Sequence, residues 1–411
     1  MLDTPPGIRL ASWCLAASGV GAAVAALSLD QTATRSAAAQ VWSPFVLVAG
    51  LLLVGQVADD DGLFAAVGYW LAAHASNGAV LFGGAAVIIA VVTALLNLDT
   101  SVVFLTPVLV HAARSRDREP ASMLVACLLL SNTGSLLLPG SNLTNLIVLG
   151  HLHLSGGQFL HRMALPWAAS VLLTGSVIAL VEQWATWRRR NAVGGSGTGG
   201  AAGGAAGGGG GTGACAPPTP SVRATAEHMS ARLGVAAVVA VTGLVLVLRS
   251  PAIPVLAVGV LAIGIRLIGR RDRVAHVVDT LGIPVLVGLF GIATALGTLG
   301  RAWSGPAMLL SHLDAIGSAL VAAASSVLVN NLPAAALLAA RVPPHPFALL
   351  VGLDIGPNLF VTGSLAWILW WRTAHAAGAK PPVGRAVVLG LVTVPLSMAA
   401  ALAMLAVTGP L

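Results

Sequence analysis

Two aspartates stand out among the residues that could do chemistry, because each lies within a long apolar part of the sequence. Asp99 lies in the Asn-Leu-Asp-Thr-Ser segment at 97–101, and Asp354 begins the Asp-Ile-Gly-Pro-Asn segment at 354–358. A carboxylate at membrane depth is costly and usually functional. We expect both to take part in coupling to a proton or cation, with Asp354 the stronger candidate. Alternatively, either aspartate only caps the N-terminus of a half-helix.

Amide and hydroxyl side chains accompany these aspartates at four breaks in the apolar pattern, at 97–101, 139–145, 330–333 and 354–364. Irregular backbone at membrane depth occurs only around protein-lined cavities, and interrupted helices in matching positions of two halves point to a transport site. Ordinary helix kinks with inter-helix hydrogen bonds are the alternative. The predicted substrate-binding residues are Asn97, Thr100, Ser141, Asn142, Thr144, Asn145, Asn330, Asn331, Asn358, Thr362 and Ser364.

The composition requires a membrane around these breaks. The 411 residues are 57% hydrophobic and only 9% charged, whereas a soluble domain carries roughly 25% charged residues. Several apolar runs approach the ~20 residues that span a bilayer. The sequence therefore predicts an all-α polytopic membrane protein. Its arginines lie between apolar segments, where they act as topology signals, so no nucleic-acid partner is expected.

A Gly/Ala-rich segment divides the chain into two halves of similar length. We predict a first transmembrane half at 1–190, a flexible cytoplasmic linker at 191–221 and a second transmembrane half at 222–411,. Three short segments recur in the same order in both halves, which indicates an internal repeat. The similar pairs are 44–50 and 283–288, 93–97 and 326–330, and 139–143 and 355–359.

Arginine clusters orient these halves, because positive loops stay in the cytoplasm. The clusters lie at 114–118, 188–190, 270–273 and 372–385. Counting apolar segments between them gives about nine crossings and two re-entrant hairpins, at 79–113 and 315–340, which enter from opposite faces. An extra helix at 233–248 inverts the second half. Each half of the predicted fold thus contains a re-entrant helical hairpin and a broken transmembrane helix.

The sequence lacks the motifs that a disulfide framework, a zinc site or a membrane-embedded enzyme would need. Cys14, Cys127 and Cys215 have no spacing typical of a disulfide framework or a zinc site,. A membrane-embedded enzyme would need a nucleophile with a base or a metal motif, and the sequence has no HExxH or GxSxG pattern,. We therefore expect a transporter without a cofactor or bound metal.

The sequence around the fourth break, at 354–364, resembles that of a known family of membrane proteins. The Gly-Leu-Asp-Ile-Gly-Pro-Asn segment at 352–358, followed by Thr-Gly-Ser-Leu-Ala-Trp at 362–367, resembles the arsenite efflux permeases. These form the arsenical pump membrane protein family of the ion transporter superfamily. The segments 96–100, 141–145 and 330–333 resemble that family's first hairpin tip, first helix break and second hairpin tip.

The resemblance implies export of arsenite or antimonite from a bacterium, across its inner membrane, by antiport against protons and an elevator-type motion. It also allows a homodimer and, as in some members, a soluble ATPase partner. A sodium/proton antiporter or an organic or inorganic anion transporter of the same superfamily stays open. The lack of arginine in the breaks weakens the anion alternative, although helix dipoles or bound sodium could substitute.

Overall fold

The computed structural model describes residues 6–150, 152, 154–194, 232–267 and 281–409. Within these ranges the chain forms 17 α-helices and no strand. The first half contains α1 (Pro6–Leu29), α2 (Gln31–Asp60), α3 (Leu63–His74), α4 (Gly78–Leu95), α5 (Leu98–Arg114), α6 (Ala121–Gly134), the 3-10 turn η1 (Pro139–Ser141), α7 (Leu143–Leu149) and α8 (Gly156–Gly194).

The second half begins with α9 (Arg232–Val247) and α10 (Ala252–Leu267). It continues with α11 (Ile283–Ala302), α12 (Gly305–Ser311), α13 (Ala315–Val329), α14 (Asn331–Leu338), α15 (Pro346–Ile355), the 3-10 turn η2 (Gly356–Leu359), α16 (Leu365–Ala376) and α17 (Val383–Val407). Among the helices that the structure describes, six are long and apolar enough to cross a membrane, namely α1, α2, α4, α8, α11 and α17. The predicted all-α, multi-pass architecture is confirmed.

The two halves repeat one series of elements. The series α1–α8 and the series α10–α17 each run through two long helices, a short helix, a helical hairpin, a broken helix and a final long helix, and α9 is the additional element. The packing is exchanged between halves, because α1 lies against α11 while α10 lies against α2. The repeated series of elements is confirmed, and α9 coincides with the extra helix predicted at 233–248. The opposite orientation of the two halves in the membrane stays a prediction.

Both hairpins and both broken helices lie where the sequence predicts them. The hairpin predicted at 79–113 is α4–α5, and the one predicted at 315–340 is α13–α14. The broken helices are α6–η1–α7 and α15–η2–α16. The short helices α3 and α12 were not predicted.

The broken helices occupy the interior of the protein. Every residue of α6 from Met123 to Gly134 is buried, as is every residue of α15 from Ala348 to Ile355. The fold therefore places α6 and α15, the helices that lead into the two breaks, inside the bundle. The second break reaches the surface beyond them, because Phe360 and Thr362 are exposed.

The structure describes one of the predicted domain boundaries, the one between the first half and the linker. Helix α8 continues to Gly194, so residues 191–194, assigned to the linker from the sequence, are helical. The rest of the predicted linker, 195–221, lies outside the described residues, as does the third arginine cluster at 270–273. The linker's flexibility and its cytoplasmic side stay predictions.

Candidate functional site

Four helix N-termini meet at one small cavity. Its volume is about 20 Å³, and its lining includes the first residue of each of α5, α7, α14 and α16. Two of these helices belong to hairpins and two to broken helices, one of each per half. The lining residues are Leu98, Asp99, Asn142, Leu143, Leu289, Asn330, Asn331, Leu332, Ser364 and Leu365.

The N-cap residues explain why the helices begin at this cavity. The side-chain oxygen of Asn97 accepts a hydrogen bond from the Thr100 amide at 2.6 Å, and that of Asn142 accepts one from the Thr144 amide at 3.2 Å. Asparagine is a favoured N-cap because its short side chain satisfies a free backbone N–H group. Asn330 caps α14 in the same way, although more loosely.

Ser364 is the N-cap of α16 and differs from the other caps. Its side chain makes no N-cap hydrogen bond. The residue is only 1% exposed, and within the described part of the chain its hydroxyl has no hydrogen-bond partner. A buried hydroxyl without a partner costs free energy unless something satisfies it. Because Ser364 lines the cavity, this hydroxyl is available to a bound solute.

The electrostatic character of the cavity comes mainly from its backbone. An α-helix N-terminus carries a partial positive charge, and three of the converging helices, α5, α14 and α16, have eight residues or more. In α14 the N–H groups of Asn331 and Leu332 are already bonded, so this helix contributes its dipole and not free donors. No arginine or lysine is among the lining residues, and Asp99 is the one acidic residue there. The cavity thus combines several donors with a single carboxylate.

Asp99 and Asp354 occupy different positions relative to this cavity. Asp99 is in the first turn of α5, lines the cavity, and makes no hydrogen bond or ion pair with other described residues. Asp354 is completely buried and lies behind the lining. One of its carboxylate oxygens accepts hydrogen bonds from the Asn142 amide at 2.9 Å and the Thr144 hydroxyl at 2.6 Å. Asp354 therefore connects α15 to the start of α7, and it reaches the cavity only through Asn142.

Asn358 ties the second helix break to the first broken helix. It accepts a hydrogen bond from the Asn132 side chain at 2.9 Å and donates to the Leu129 carbonyl at 2.9 Å. It does not line the cavity. The sequence repeat pairs Asn358 with Asn142, which is the N-cap of α7. In the second half, however, the N-cap of the half-helix that begins at the cavity is Ser364. The paired segments coincide with the two breaks, but these two asparagines have different surroundings.

Ser141 and Asn145 hold the first break in its irregular conformation. The Asn145 amide donates to the Ser135 carbonyl at 2.8 Å and the Leu138 carbonyl at 3.2 Å, and the Ser141 hydroxyl donates to the same two carbonyls. These bonds satisfy backbone groups that a continuous helix would have paired. Neither side chain lines the cavity, so both act on the shape of the break.

The tip of the second hairpin is attached to the second break. The backbone N–H of Asn331 donates to the Gly363 carbonyl at 2.9 Å, and the side-chain amide of Asn330 donates to the Thr362 carbonyl at 3.2 Å. The Thr362 hydroxyl in turn donates to the Val327 carbonyl. Thr362 itself is exposed and outside the cavity. The hairpin and the break are therefore held together as one unit.

Of the predicted site residues, the structure brings five side chains to the cavity lining, namely Asp99, Asn142, Asn330, Asn331 and Ser364. The others support the lining from behind, from the breaks or from the hairpin tips. Sequence reasoning missed Ser135, which bonds Asn142 at 3.2 Å. Following the polar run that begins at Ser131 one turn further would have included it.

Inverted repeats with paired hairpins and broken helices around a central cavity define a secondary transporter, and not an enzyme. The sequence model of the CitMHS family, described as citrate transporter, matches residues 8–371, and the chain belongs to this family. That family differs from the arsenite efflux permeases that the motifs resemble. The transporter class is confirmed, while the narrower arsenite assignment stays a prediction.

A solved structure shares the fold. The crystal structure of the YdaH transporter of Alcanivorax borkumensis, described as having an unusual topology, aligns with a TM-score of 0.54. The alignment covers 93% of this chain and 88% of that one, at 16% sequence identity. At this identity the likeness establishes the shared fold alone.

Proposed function

We propose that this protein is a secondary transporter of a small carboxylate anion of the citrate type, which moves together with a cation. The observation that carries the proposal is the convergence of helix N-termini on a cavity that also contains the unpartnered Ser364 hydroxyl. Free N–H groups and positive dipole ends favour carboxylates without any basic side chain. The description of the matching family, citrate transporter, supports the same substrate class.

Asp99 supplies the reason for a co-transported cation. An anion in this cavity lies close to the Asp99 carboxylate, and two like charges at low dielectric repel strongly. A proton or a metal cation at Asp99 removes this repulsion, so anion and cation bind more tightly together than separately. We assign coupling first to Asp99, with Asp354 as a second coupling group that acts through Asn142.

Substrate entry requires movement, because the cavity of about 20 Å³ has room for little more than one water molecule,. We propose that the second hairpin is the element that moves, because Leu328 near its tip is 79% exposed and lies at the surface. Its hydrogen bonds to the second break carry that break along. We propose an elevator-type cycle in which hairpins and broken helices move together past α2 and α11.

Export of arsenite or antimonite in exchange for protons is the second candidate. It is favoured by the Gly-Pro-Asn and Gly-Ser-Leu-Ala sequence of the second break and by the absence of basic residues from the cavity lining. A neutral, hydroxyl-bearing solute would also accept hydrogen bonds from the helix N-termini. It would not need a cation to offset Asp99, which distinguishes the two candidates.

Transport by the purified chain in proteoliposomes tests the proposal. We expect uptake of labelled citrate, stimulated by a proton or sodium gradient, and no arsenite flux above that of empty vesicles. Ser364→Ala should weaken citrate affinity by roughly threefold to tenfold, as one hydrogen bond of about 1 kcal/mol predicts. Ser397→Ala is the matched control, because that buried hydroxyl bonds the Thr393 carbonyl within α17.

The outcomes separate the two candidates. Arsenite flux without citrate flux would overturn the carboxylate proposal and favour the arsenite exporter. Citrate flux with unchanged affinity in Ser364→Ala would retain the substrate class but refute the assignment of this cavity. Greater resistance of an arsenite-sensitive bacterial host expressing the chain provides an independent check on the arsenite alternative.

A further inference from the structure

A second cavity lies at one end of the first hairpin, away from the transport site. It has a volume of about 110 Å³ and is lined by Ala75, Ser76, Asn77, Leu81, Arg116 and Arg118. The cavity joins the end of α3, the start of α4 and the turn after α5. Its two arginines belong to the cluster that the positive-inside rule places at the cytoplasmic face.

Two positive features face each other in this cavity. The guanidinium of Arg118 lies so close to Gly78, the first residue of α4, that a Cβ atom there would be 2.2 Å from its nitrogen. Glycine thus lets a cationic group approach the positive end of an 18-residue helix, an arrangement that is unfavourable on its own,. Within the described residues, the Arg118 side chain has no hydrogen bond or ion pair. A bound anion would turn the repulsion into attraction.

The neighbouring charges do not provide that anion. Arg116 is held in place by the Ala72 and Ala75 carbonyls at the end of α3 and forms no ion pair with another described residue. Asp117 and Glu119 alternate with the arginines in sequence, but neither lines the cavity. Glu119 lies close enough to Arg385 to interact with that residue electrostatically.

The surroundings of the cavity are those of a membrane interface. Tyr69 and Trp70 on α3 are 77% and 57% exposed, one to two turns before the cavity, and such aromatic residues favour the headgroup level of a bilayer,. On α4, a stripe of exposed valines at 80, 87 and 91 leads directly away from the cavity. An apolar stripe that ends at a cationic cavity matches acyl chains that end at a phosphate.

We propose that this cavity binds the phosphate group of an anionic phospholipid, with the lipid's acyl chains along α4. Arg118 and Arg116 supply the positive charge, and the positive end of the α4 dipole adds to it. The N–H groups of Ala79 and Val80 are already bonded to the Asn77 side chain. Basic pockets on the cytoplasmic side of membrane proteins are suited to such headgroups. The lipid would contact the first arm of the hairpin whose other arm, α5, carries Asp99.

Lipid titration of the purified full chain tests the proposal. In neutral detergent, phosphatidylglycerol should raise the thermal unfolding midpoint, while phosphatidylcholine should not. Arg118→Gln should weaken the apparent affinity for phosphatidylglycerol about fivefold, the effect expected for one charge near a membrane surface. Arg35→Gln is the matched control, since Arg35 is likewise exposed and lies on α2, outside this cavity.

A second experiment distinguishes a bound phospholipid from a bound free anion. Inorganic phosphate at the same concentration should give no stabilisation, and native mass spectrometry should show fewer bound phosphatidylglycerol molecules on Arg118→Gln than on Arg35→Gln. An equal response of both variants to phosphatidylglycerol would overturn the site. Full stabilisation by inorganic phosphate would overturn the lipid as its ligand. Arg118→Lys keeps the charge and should retain most of the binding.

Discussion

Replacement of Asp354 tests whether its carboxylate holds the two broken helices together. In Asp354→Ala, the Thr144 hydroxyl loses its acceptor at 2.6 Å and has no other hydrogen bond within the described structure. The Asn142 amide loses its acceptor at 2.9 Å but keeps Ser135 at 3.2 Å. An orphaned buried donor costs about 1–3 kcal/mol, and a partly compensated one costs about 0.5–1.5 kcal/mol. The expected loss of stability is therefore about 1.5–4.5 kcal/mol.

Asp354→Asn is the matched variant, because its side-chain oxygen can accept from the same two donors. We expect it to lie within about 1 kcal/mol of the parent. The free energy of unfolding can be measured by denaturant titration in detergent, followed by tryptophan fluorescence. If alanine and asparagine at position 354 unfold at the same denaturant concentration, the carboxylate does not connect α15 to α7 as the structure indicates.

The asparagine variant also isolates the role of Asp354 in coupling. Its fold should be intact, yet an amide cannot take up and release a proton. If Asp354 contributes to coupling, vesicles with Asp354→Asn should exchange substrate at equal concentrations but accumulate less of it under an imposed pH gradient. Undiminished accumulation would assign coupling to Asp99 alone.

Three other substitutions, one of them with a matched control, test further parts of the transport site and its support. Asp99→Asn should abolish gradient-driven accumulation while sparing exchange, and retained accumulation in proteoliposomes would move the coupling ion elsewhere. Gly390→Ala should lower the free energy of unfolding by roughly 1–3 kcal/mol, because the added Cβ would lie 1.9 Å from a carbonyl oxygen of the second break. Gly384→Ala, which meets open space in the same helix, should match the parent in the same denaturant titration. Gln40→Leu removes the hydrogen bonds that the Gln40 side chain donates to the Ile147 and Ala339 carbonyls at the ends of α7 and α14. Cysteines placed at these ends should therefore be labelled faster, and unchanged labelling would show that these hydrogen bonds do not hold the ends in place.

The sequence predicted the hairpins and breaks because polar residues in apolar surroundings are conspicuous. Asn97 and Asn330 mark the two tips, and Asp354 marks the end of α15, all within a few residues of their predicted positions. The short helices α3 and α12 gave no such signal. Helix α12 has only seven residues, and α3 is apolar throughout most of its length, so nothing separates it from its neighbours.

The charge of the site could not be predicted from residue types. The breaks contain no arginine or lysine, which favoured a neutral solute at the level of sequence. In the structure several helices begin at one cavity, and their dipoles favour negative charge without a basic side chain,. Side-chain direction in irregular backbone is equally hidden. Asn358 and Ser364 are six positions apart, and only the fold shows that Ser364 faces the cavity while Asn358 bonds α6.

Of the four helices that begin at the cavity, α5 ends beside α16 and α7 ends beside α14. The ends of these two pairs are held in different ways. Arg114 of α5 donates to the Ala377 and Gly378 carbonyls at the end of α16. The ends of α5 and α16 are therefore joined by a side chain of α5 itself. The α7–α14 pair is held from outside. Gln40 of α2 donates to the Ile147 and Ala339 carbonyls, and Arg301 of α11 bonds Gln40 at 2.7 Å.

An elevator movement past α2 and α11 would preserve the Arg114 contacts and break those of Gln40. The two ends of the inverted repeat are therefore not equivalent in this structure. Two stable arrangements need contacts that one has and the other lacks, since a state is favoured only by interactions specific to it. The pair of Gln40 and Arg301 supplies such contacts for the arrangement seen here. If the proposed elevator movement takes place, the opposite arrangement has to satisfy the freed carbonyls of α7 and α14 with other donors or with water.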